Sequence, residues 1–368
     1  MIRIAVPRET APDERRVALV PESAAKLVKG GAQVVVQHGA GLRAGFTDDA
    51  YTKAGATIAP DAASTCKDAD VVARVRRPSA DEAAMLRSGA VLIALLQPAA
   101  SADLFGTLAK GKVSALALEK VPRITRAQSM DVLSSQSTAS GYKAVLIGAA
   151  ALGKFLPMLT TAAGSIRPAQ VFIIGAGVAG LQAIATARRL GGVVSAFDVR
   201  AAAAEQVKSL GASFVASELV SATAEDKGGY AKAQADDERQ RTLDAIGKHI
   251  VTQDLVITTA LIPGKPAPKL ITEAMVKGMR PGAVIVDLAS EAGGNCELTK
   301  PGETVIVNDV TIIGSLNLAA TVPLHASEML SRNILTLLQH LIKDNALKID
   351  PAEEITKAML VTHDGAIL

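Results

Sequence analysis

The sequence predicts an α/β protein of two doubly wound parallel-sheet domains separated by a cleft. Three observations carry that expectation. Across 368 residues, room for two domains with ample cores, short apolar runs alternate with helical segments in two successive blocks. Hydrophobic residues make up 49% of the chain, aromatics only 2%, and Trp is absent, so the cores are Ala, Val, Leu and Ile. That mix suits parallel strands buried on both faces beneath close-packed helices. The third observation is the segment VFIIGAGVAG at residues 171–180, followed by an acid at Asp198.

In the first block, strands are expected at residues 3–6, 33–37, 70–75, 90–96 and 113–118, with helices between them such as 21–29 and 80–87. The second block opens with strands at 171–174 and 193–197, and continues with strands near 213–216, 255–260, 284–288 and 311–314. Residues 134–155 are expected to form a long small-residue helix that carries the chain from one block to the other. Another long helix is expected over 324–341, and the tail after it returns to the first block. The expected domains are thus 1–135 with 320–368, and 136–319. Residues 217–241 break the alternation, being polar and charged with Gly228, Gly229 and Tyr230 in their middle. They read either as a surface insertion with some helix or as a lid, the glycines hinging and the Tyr covering a bound nucleotide.

The glycine-rich segment carries the most specific chemistry. Gly175, Gly177 and Gly180 stand in the G-x-G-x-x-G spacing, between an apolar strand and an Ala-rich helix running to about Arg189. In a Rossmann-like domain the first glycine permits the tight turn, the second admits the pyrophosphate, and the third lets helix and sheet pack closely. The helix N-terminus offers free N–H groups and a positive dipole end to that pyrophosphate. Asp198 ends the second strand, 18 positions after Gly180, where a carboxylate binds both hydroxyls of the adenosine ribose. It repels a 2′-phosphate and so favours NAD(H) over NADP(H). Arg200 is discordant, because an Arg near this position can serve a 2′-phosphate.

Composition excludes several other classes. A net charge of +3, with no basic tract interleaved with aromatics, argues against nucleic acid. Cys66 and Cys296 lie far apart and form no metal spacing, which fits a reducing cytosol. The N-terminus runs straight into a strand, so no signal peptide is expected. The longest apolar stretch, residues 144–152, ends at Lys154 and is short of the ~20 residues a membrane span needs.

Two segments point to a family. Residues 122–137, PRITRAQSMDVLSSQS, closely resemble the Arg/Gln/Asp loop in the NAD(H)-binding component of proton-translocating NAD(P)⁺ transhydrogenase. Residues 228–232, GGYAK, are similar to that component's mobile loop, although Gln234 stands where an apolar residue is expected. The likeness runs over nearly the whole chain, including residues 15–22, 258–268 and 291–296, segments shared in part with the related alanine dehydrogenases. The resemblance implies that Arg123, Gln128, Asp131 and Ser134 hold and orient the nicotinamide, with Ile124 and Thr125 bordering the same pocket. It implies that Ala176, Gly177 and Val178 meet the pyrophosphate, and Asp198, Val199 and Arg200 the adenosine ribose. Gly229 and Tyr230 would close over the nucleotide, and Leu261 would line its pocket. It further implies a homodimer that docks onto the NADP(H)-binding domain of a membrane-embedded subunit. That places the chain in the cytoplasm, peripheral on the membrane through its partners. Because the chain stops at Leu368, the membrane helices are expected on a separately encoded subunit.

The chemistry separates the two relatives. A dehydrogenase acting on an amino or hydroxy acid removes a proton as well as a hydride, and so needs a base beside its substrate. Alanine dehydrogenases carry a His after the strand equivalent to residues 91–96, whereas this chain has Gln97, and an amide is no base near neutral pH. The lysine they use near the substrate carboxylate is replaced around Arg74 and Arg76, and Glu291 stands where they use an Asp. Hydride exchange between two nicotinamides needs no base, only two C4 atoms held close, aligned and dry. The reading is therefore hydride exchange between NAD(H) here and NADP(H) on a partner. An alanine-type dehydrogenase and a non-catalytic NAD(H)-binding module are the alternatives. Taken without the resemblance, Arg123 and Asp131 read more simply as an ion pair in a surface loop, since charged loop residues are usually solvated; the resemblance reverses that preference. The five histidines, scattered without ligand spacing, read as surface or packing residues, and Cys296 as a small buried filler.

Overall fold

A computed structural model describes residues 1–219, 236–262 and 265–368. They fall into two units, Met1–Gln136 with Ala319–Leu368, and Ser137–Leu318. Along the chain, unit 1 contributes β1 (Arg3–Val6), β2 (Gln33–Gln37), β3 (Thr57–Ala59), β4 (Val71–Arg76), β5 (Val91–Leu95) and β6 (Ser114–Ala117). Unit 2 follows with β7 (Leu159–Thr161), β8 (Gly164–Ile166), β9 (Gln170–Ile174), β10 (Val193–Phe197) and β11 (Ser213–Phe214). It is completed by β12 (Leu255–Thr258), β13 (Val284–Asp287), β14 (Thr304–Val307) and β15 (Val310–Gly314). The last strands, β16 (Ile342–Lys343), β17 (Ala346–Leu347), β18 (Leu360–His363) and β19 (Ala366–Ile367), belong again to unit 1.

The sheet of unit 1 has the order β19-β18-β6-β5-β4-β1-β2-β3. Its strands β1 to β6 pair in parallel, and β18 adds antiparallel to β6. Because side chains alternate across a strand, one sequence feeds two cores. Ile4, Val71, Ala73, Val91 and Ile93 pack on one face, with Leu330, Ile334 and Leu338 of the helix Pro323–Leu341. Ala5, Val72, Leu92 and Ala94 pack on the other, with Phe105 and Leu108.

Unit 2 repeats the plan in the order β11-β10-β9-β12-β13-β15-β14, parallel apart from the edge strand β14. Val171, Ile173, Leu255 and Ile257 face one core, and Phe172, Ile174, Val256 and Ile285 the other. The helix Val132–Ala151 packs on this sheet through small residues. A Cβ at Gly141 would lie 2.1 Å from the Ala179 carbonyl oxygen, and one at Gly148 2.5 Å from Leu255.

The doubly wound α/β class stands as expected, with the antiparallel strands of both large sheets at their edges. Several elements differ in extent, among them the helix expected over 134–155, which spans Val132–Ala151, and the strand expected at 255–260, which ends at Thr258. The helix expected over 80–87 stops at Ala84, where the Met85 and Leu86 N–H groups turn back to the Glu82 and Ala83 carbonyls. The strand expected at 213–216 is only Ser213–Phe214. Among the described residues, no helix is long and apolar enough to cross a membrane.

Candidate functional site

In an open parallel sheet, the crevice for a ligand lies beyond the carboxyl ends of the two strands where the winding reverses. In unit 2 those strands are β9 and β12, which pair with each other. The chain leaves β9 through Gly175, whose φ of +95° is open to glycine at little cost. A Cβ there would also sit 2.7 Å from Thr259 Oγ1. Gly180 is held more tightly still, since its Cβ would fall 1.8 Å from the Gly175 carbonyl oxygen. Gly177 differs from both: a Cβ there would meet nothing within 4 Å. Packing does not demand a glycine at that position, and its bareness leaves space at the mouth of the crevice.

Gly177 begins the helix Val178–Arg189, and no side chain caps it. The first-turn N–H groups of any helix lack intrahelical acceptors, which makes such an end suited to an anion. Val178 is partly exposed there.

Asp198 follows β10 and is 6% exposed. Its Oδ2 accepts from the Ala176 N–H at 2.7 Å, tying the glycine turn to the end of β10. Its Oδ1 accepts from the Arg200 N–H at 2.9 Å, one side of the turn through Val199. The Arg200 guanidinium then grips both oxygens, Nε to Oδ1 at 2.9 Å and a terminal nitrogen to Oδ2 at 2.7 Å. A carboxylate has about four acceptor positions, so the chain itself fills them. The discordant Arg is therefore the partner of the acid.

The loop after β12 is fixed by Asn295, a buried residue of the family-like segment 291–296 whose own role the sequence does not reveal. Its Oδ1 accepts from the Ala260 N–H at 3.0 Å, and its Nδ2 donates to the Ala260 carbonyl at 2.8 Å and to the Pro268 carbonyl at 2.9 Å. Leu261, next in the chain, is left 44% exposed. Cys296 is buried, which pushes its thiol up from the ordinary range, as fits a filler.

The second group of predicted residues lies in unit 1. Thr125–Met130 forms a 3₁₀ turn, and the helix Val132–Ala151 follows at once. Asp131 caps that helix: its carboxylate accepts from the Ser134 N–H at 2.9 Å and from Ser134 Oγ at 2.6 Å. Two of the four predicted nicotinamide residues are thus hydrogen-bonded to each other. Arg123, Thr125 and Gln128 are exposed, Ile124 half-buried, while Ala127 and Met130 anchor the turn in the core. Arg126 ties its outer edge to Glu353 and Glu354, each at 2.9 Å. Burial opposes ionisation of Glu353, but N–H groups of Thr356 and Ile355 and the side chain of His340 hold its carboxyl down at about 2.

Three residues bear on the alternative of an amino-acid substrate. Gln97 follows β5 in a left-handed conformation, φ 49°, with its N–H on Glu119. Arg74 is buried and paired with Glu82 at 2.9 Å. Glu291 accepts the Asn317 N–H at 2.8 Å. Gly229, Tyr230 and Gln234 lie outside the described residues.

Comparison with known proteins agrees along the whole chain. Residues 5–140 match the family model described as alanine dehydrogenase/PNT, N-terminal domain, and residues 144–368 match its C-terminal domain. The chain is 49% identical over 375 residues to an NAD(P) transhydrogenase subunit alpha chain of Rhodospirillum rubrum, covering 100% of this chain and 98% of that one. A solved transhydrogenase from Sinorhizobium meliloti is 45% identical, with 100% of both chains covered and a TM-score of 0.91. A solved L-alanine dehydrogenase is 27% identical, covering 100% of this chain and 97% of that one, with a TM-score of 0.83.

Proposed function

The chain belongs to the alanine dehydrogenase/PNT family, and from that premise we propose that it is the NAD(H)-binding, hydride-exchanging component of a proton-translocating NAD(P)⁺ transhydrogenase. NADP(H) would be held by a partner domain of a membrane-embedded subunit. The observation that carries this reading is a glycine turn after β9 tied to the buried Asp198, in a chain with Gln97 where an amino-acid dehydrogenase needs a base. Similarity along the full length to a transhydrogenase alpha chain supports the same choice.

In this reading the pyrophosphate sits over Gly177 against the Ala176 and Val178 end of the helix, drawn by unsatisfied N–H groups and the dipole. The adenosine ribose brings two hydroxyls to Asp198. Because the carboxylate is already fully engaged, binding is an exchange: the hydroxyls take the places of the Arg200 guanidinium, while the two backbone N–H donors stay. Leu261 offers apolar cover. The exposed Arg123 and Gln128, with the linked pair Asp131 and Ser134, orient the nicotinamide; Ile124 and Thr125 border it. Their work is alignment, worth several orders of magnitude in rate when the reacting carbons are held close and dry.

Partner surfaces are in keeping with an assembly. Among the described residues the hairpin β7–β8 has no third strand, and Phe155, Met158 and Ile166 around it are 55%, 66% and 42% exposed. A lone two-stranded hairpin is marginal in water, and a second copy of the chain would cover it. The complex would place this chain on the cytoplasmic face of the membrane, through its partners.

The test is to mix the purified chain with an NADP(H)-binding transhydrogenase domain, NADPH and an acetylpyridine analogue of NAD⁺. Rapid reduction of the analogue that requires both proteins is expected. No transfer, with NAD⁺ reduction by L-alanine on the chain alone, would return the protein to the dehydrogenase class.

A further inference from the structure

The loop that carries Gln128, Asp131 and Ser134 is exposed along its outer side, yet hydride transfer would require it to hold a ring within a fraction of an ångström. A side chain from a distant part of the sequence braces it from behind. Asn333 lies in the middle of the helix Pro323–Leu341 and is only 8% exposed. Its Nδ2 donates to the Ser129 carbonyl at 2.8 Å. Its Oδ1 accepts from Ser135 Oγ at 2.7 Å. The two bonds grip the loop on either side of Asp131, one residue after Gln128 and one after Ser134.

The grip is backed in turn. Ser135 Oγ accepts from Gln136 Nε2 at 3.2 Å, and Gln136 Oε1 accepts from Arg16 at 2.7 Å. Arg16 is fixed by Glu14 at 2.6 Å, both of them buried. A buried amide satisfied on both its donor and its acceptor end is rigid, and replacing it leaves polar atoms without partners.

We propose that Asn333 is a positioning residue for hydride transfer: it sets the conformation of residues 129–135, and through them the aim of Gln128, Asp131 and Ser134, without touching the nucleotide. The inference rests on the transhydrogenase reading above. Asn333→Asp keeps the acceptor for Ser135 but loses the donor to Ser129; Ser135→Ala removes the other arm; Asn333→Leu removes both.

The assay measures the rate of hydride transfer with the NADP(H)-binding domain, the dissociation constant for NADH, and amide exchange across residues 129–135. Asn333→Leu is expected to slow transfer by about tenfold or more, with NADH affinity within about twofold of wild type. Ser135→Ala should slow transfer about threefold alone but add nothing in the Asn333→Leu background, because one clamp is already gone. Exchange in 129–135 should rise in every variant while the rest of the chain stays protected. Equal losses in transfer rate and NADH affinity, additive effects in the double variant, or unchanged exchange would overturn the proposal. If Asn333→Leu does not fold, Asn333→Asp and Ser135→Ala still decide it. A wild-type chain that transfers no hydride would instead refute the functional reading, and amide exchange would then judge the clamp by itself.

Discussion

Units 1 and 2 wind their sheets in the same way, yet very different residues stand where each winding reverses. In unit 1 the winding reverses between β1 and β4, as it does between β9 and β12 in unit 2. The chain leaving β1 places Glu9 at that point, 7% exposed, where its carboxyl accepts the Val75 N–H at 2.8 Å and the Arg76 N–H at 3.2 Å. A carboxyl plugs the spot where a ligand would enter. Burial pushes Glu9 up from 4.5 to about 7, against the pull of Arg74 and those two N–H groups. In unit 2 the same spot holds Gly177, with nothing within 4 Å of where a Cβ would be. Topology offers a crevice twice, occupied by a buried carboxyl in unit 1 and by a bare glycine in unit 2.

The largest effect is expected from the two glycines of unit 2. Gly180→Ala puts a methyl 1.8 Å from a backbone oxygen that cannot move aside, and should lower unfolding stability by about 3 kcal/mol or more in urea titration. Gly177→Ala should leave stability within about 1 kcal/mol yet weaken NADH binding about tenfold, because the methyl occupies ligand space alone. If both variants lost stability alike, the claim that Gly177 is reserved for a ligand would be wrong.

Glu9 gives the next effect, in unit 1. Its folded pKa lies above the unfolded value, so between about 4.5 and 7 the folded state holds the extra proton. Stability from this group therefore falls as pH rises through that window, by up to about 3 kcal/mol, and the penalty is complete above it. Glu9→Gln should flatten the fall in Tm between pH 5 and 8. An unaltered pH profile would mean that Glu9 is not the buried acid described.

A smaller effect separates the two roles of Arg200. If ribose hydroxyls displace its guanidinium from Asp198, Arg200→Met removes a competitor, and NADH should bind about threefold tighter while the apo chain melts lower. Weaker binding would show that the Arg holds the nucleotide directly.

Much of this was legible in the sequence for a local reason. Strands buried on both faces write themselves as apolar runs, so β1, β2 and β10 stand at the residues expected. The turn after β9 is local too, since its glycine spacing reflects contacts within a few residues and one neighbouring loop. What was hidden depends on partners far along the chain. Asn333 meets Ser129 across 204 positions, and Glu9 meets Val75 across 66, and no periodicity marks either. Asn295 sits in a recognised segment, but its two hydrogen bonds with the Ala260 backbone are a property of the fold. The edge strands β3 and β14 are not marked by the sequence because both are short: β3 has only three residues, and β14 has four, its apolar Val305–Val307 left half-buried or exposed.

The most direct test is a calorimetric titration of NADH into the wild-type chain, Asp198→Ala and Glu9→Gln under one condition. Asp198→Ala is expected to bind about 1–3 kcal/mol more weakly, as for loss of a hydrogen-bonded charged acceptor, and Glu9→Gln to bind like wild type. An unchanged dissociation constant for Asp198→Ala, or a loss in Glu9→Gln of the same size, would contradict the assignment of the nucleotide to the crevice of unit 2.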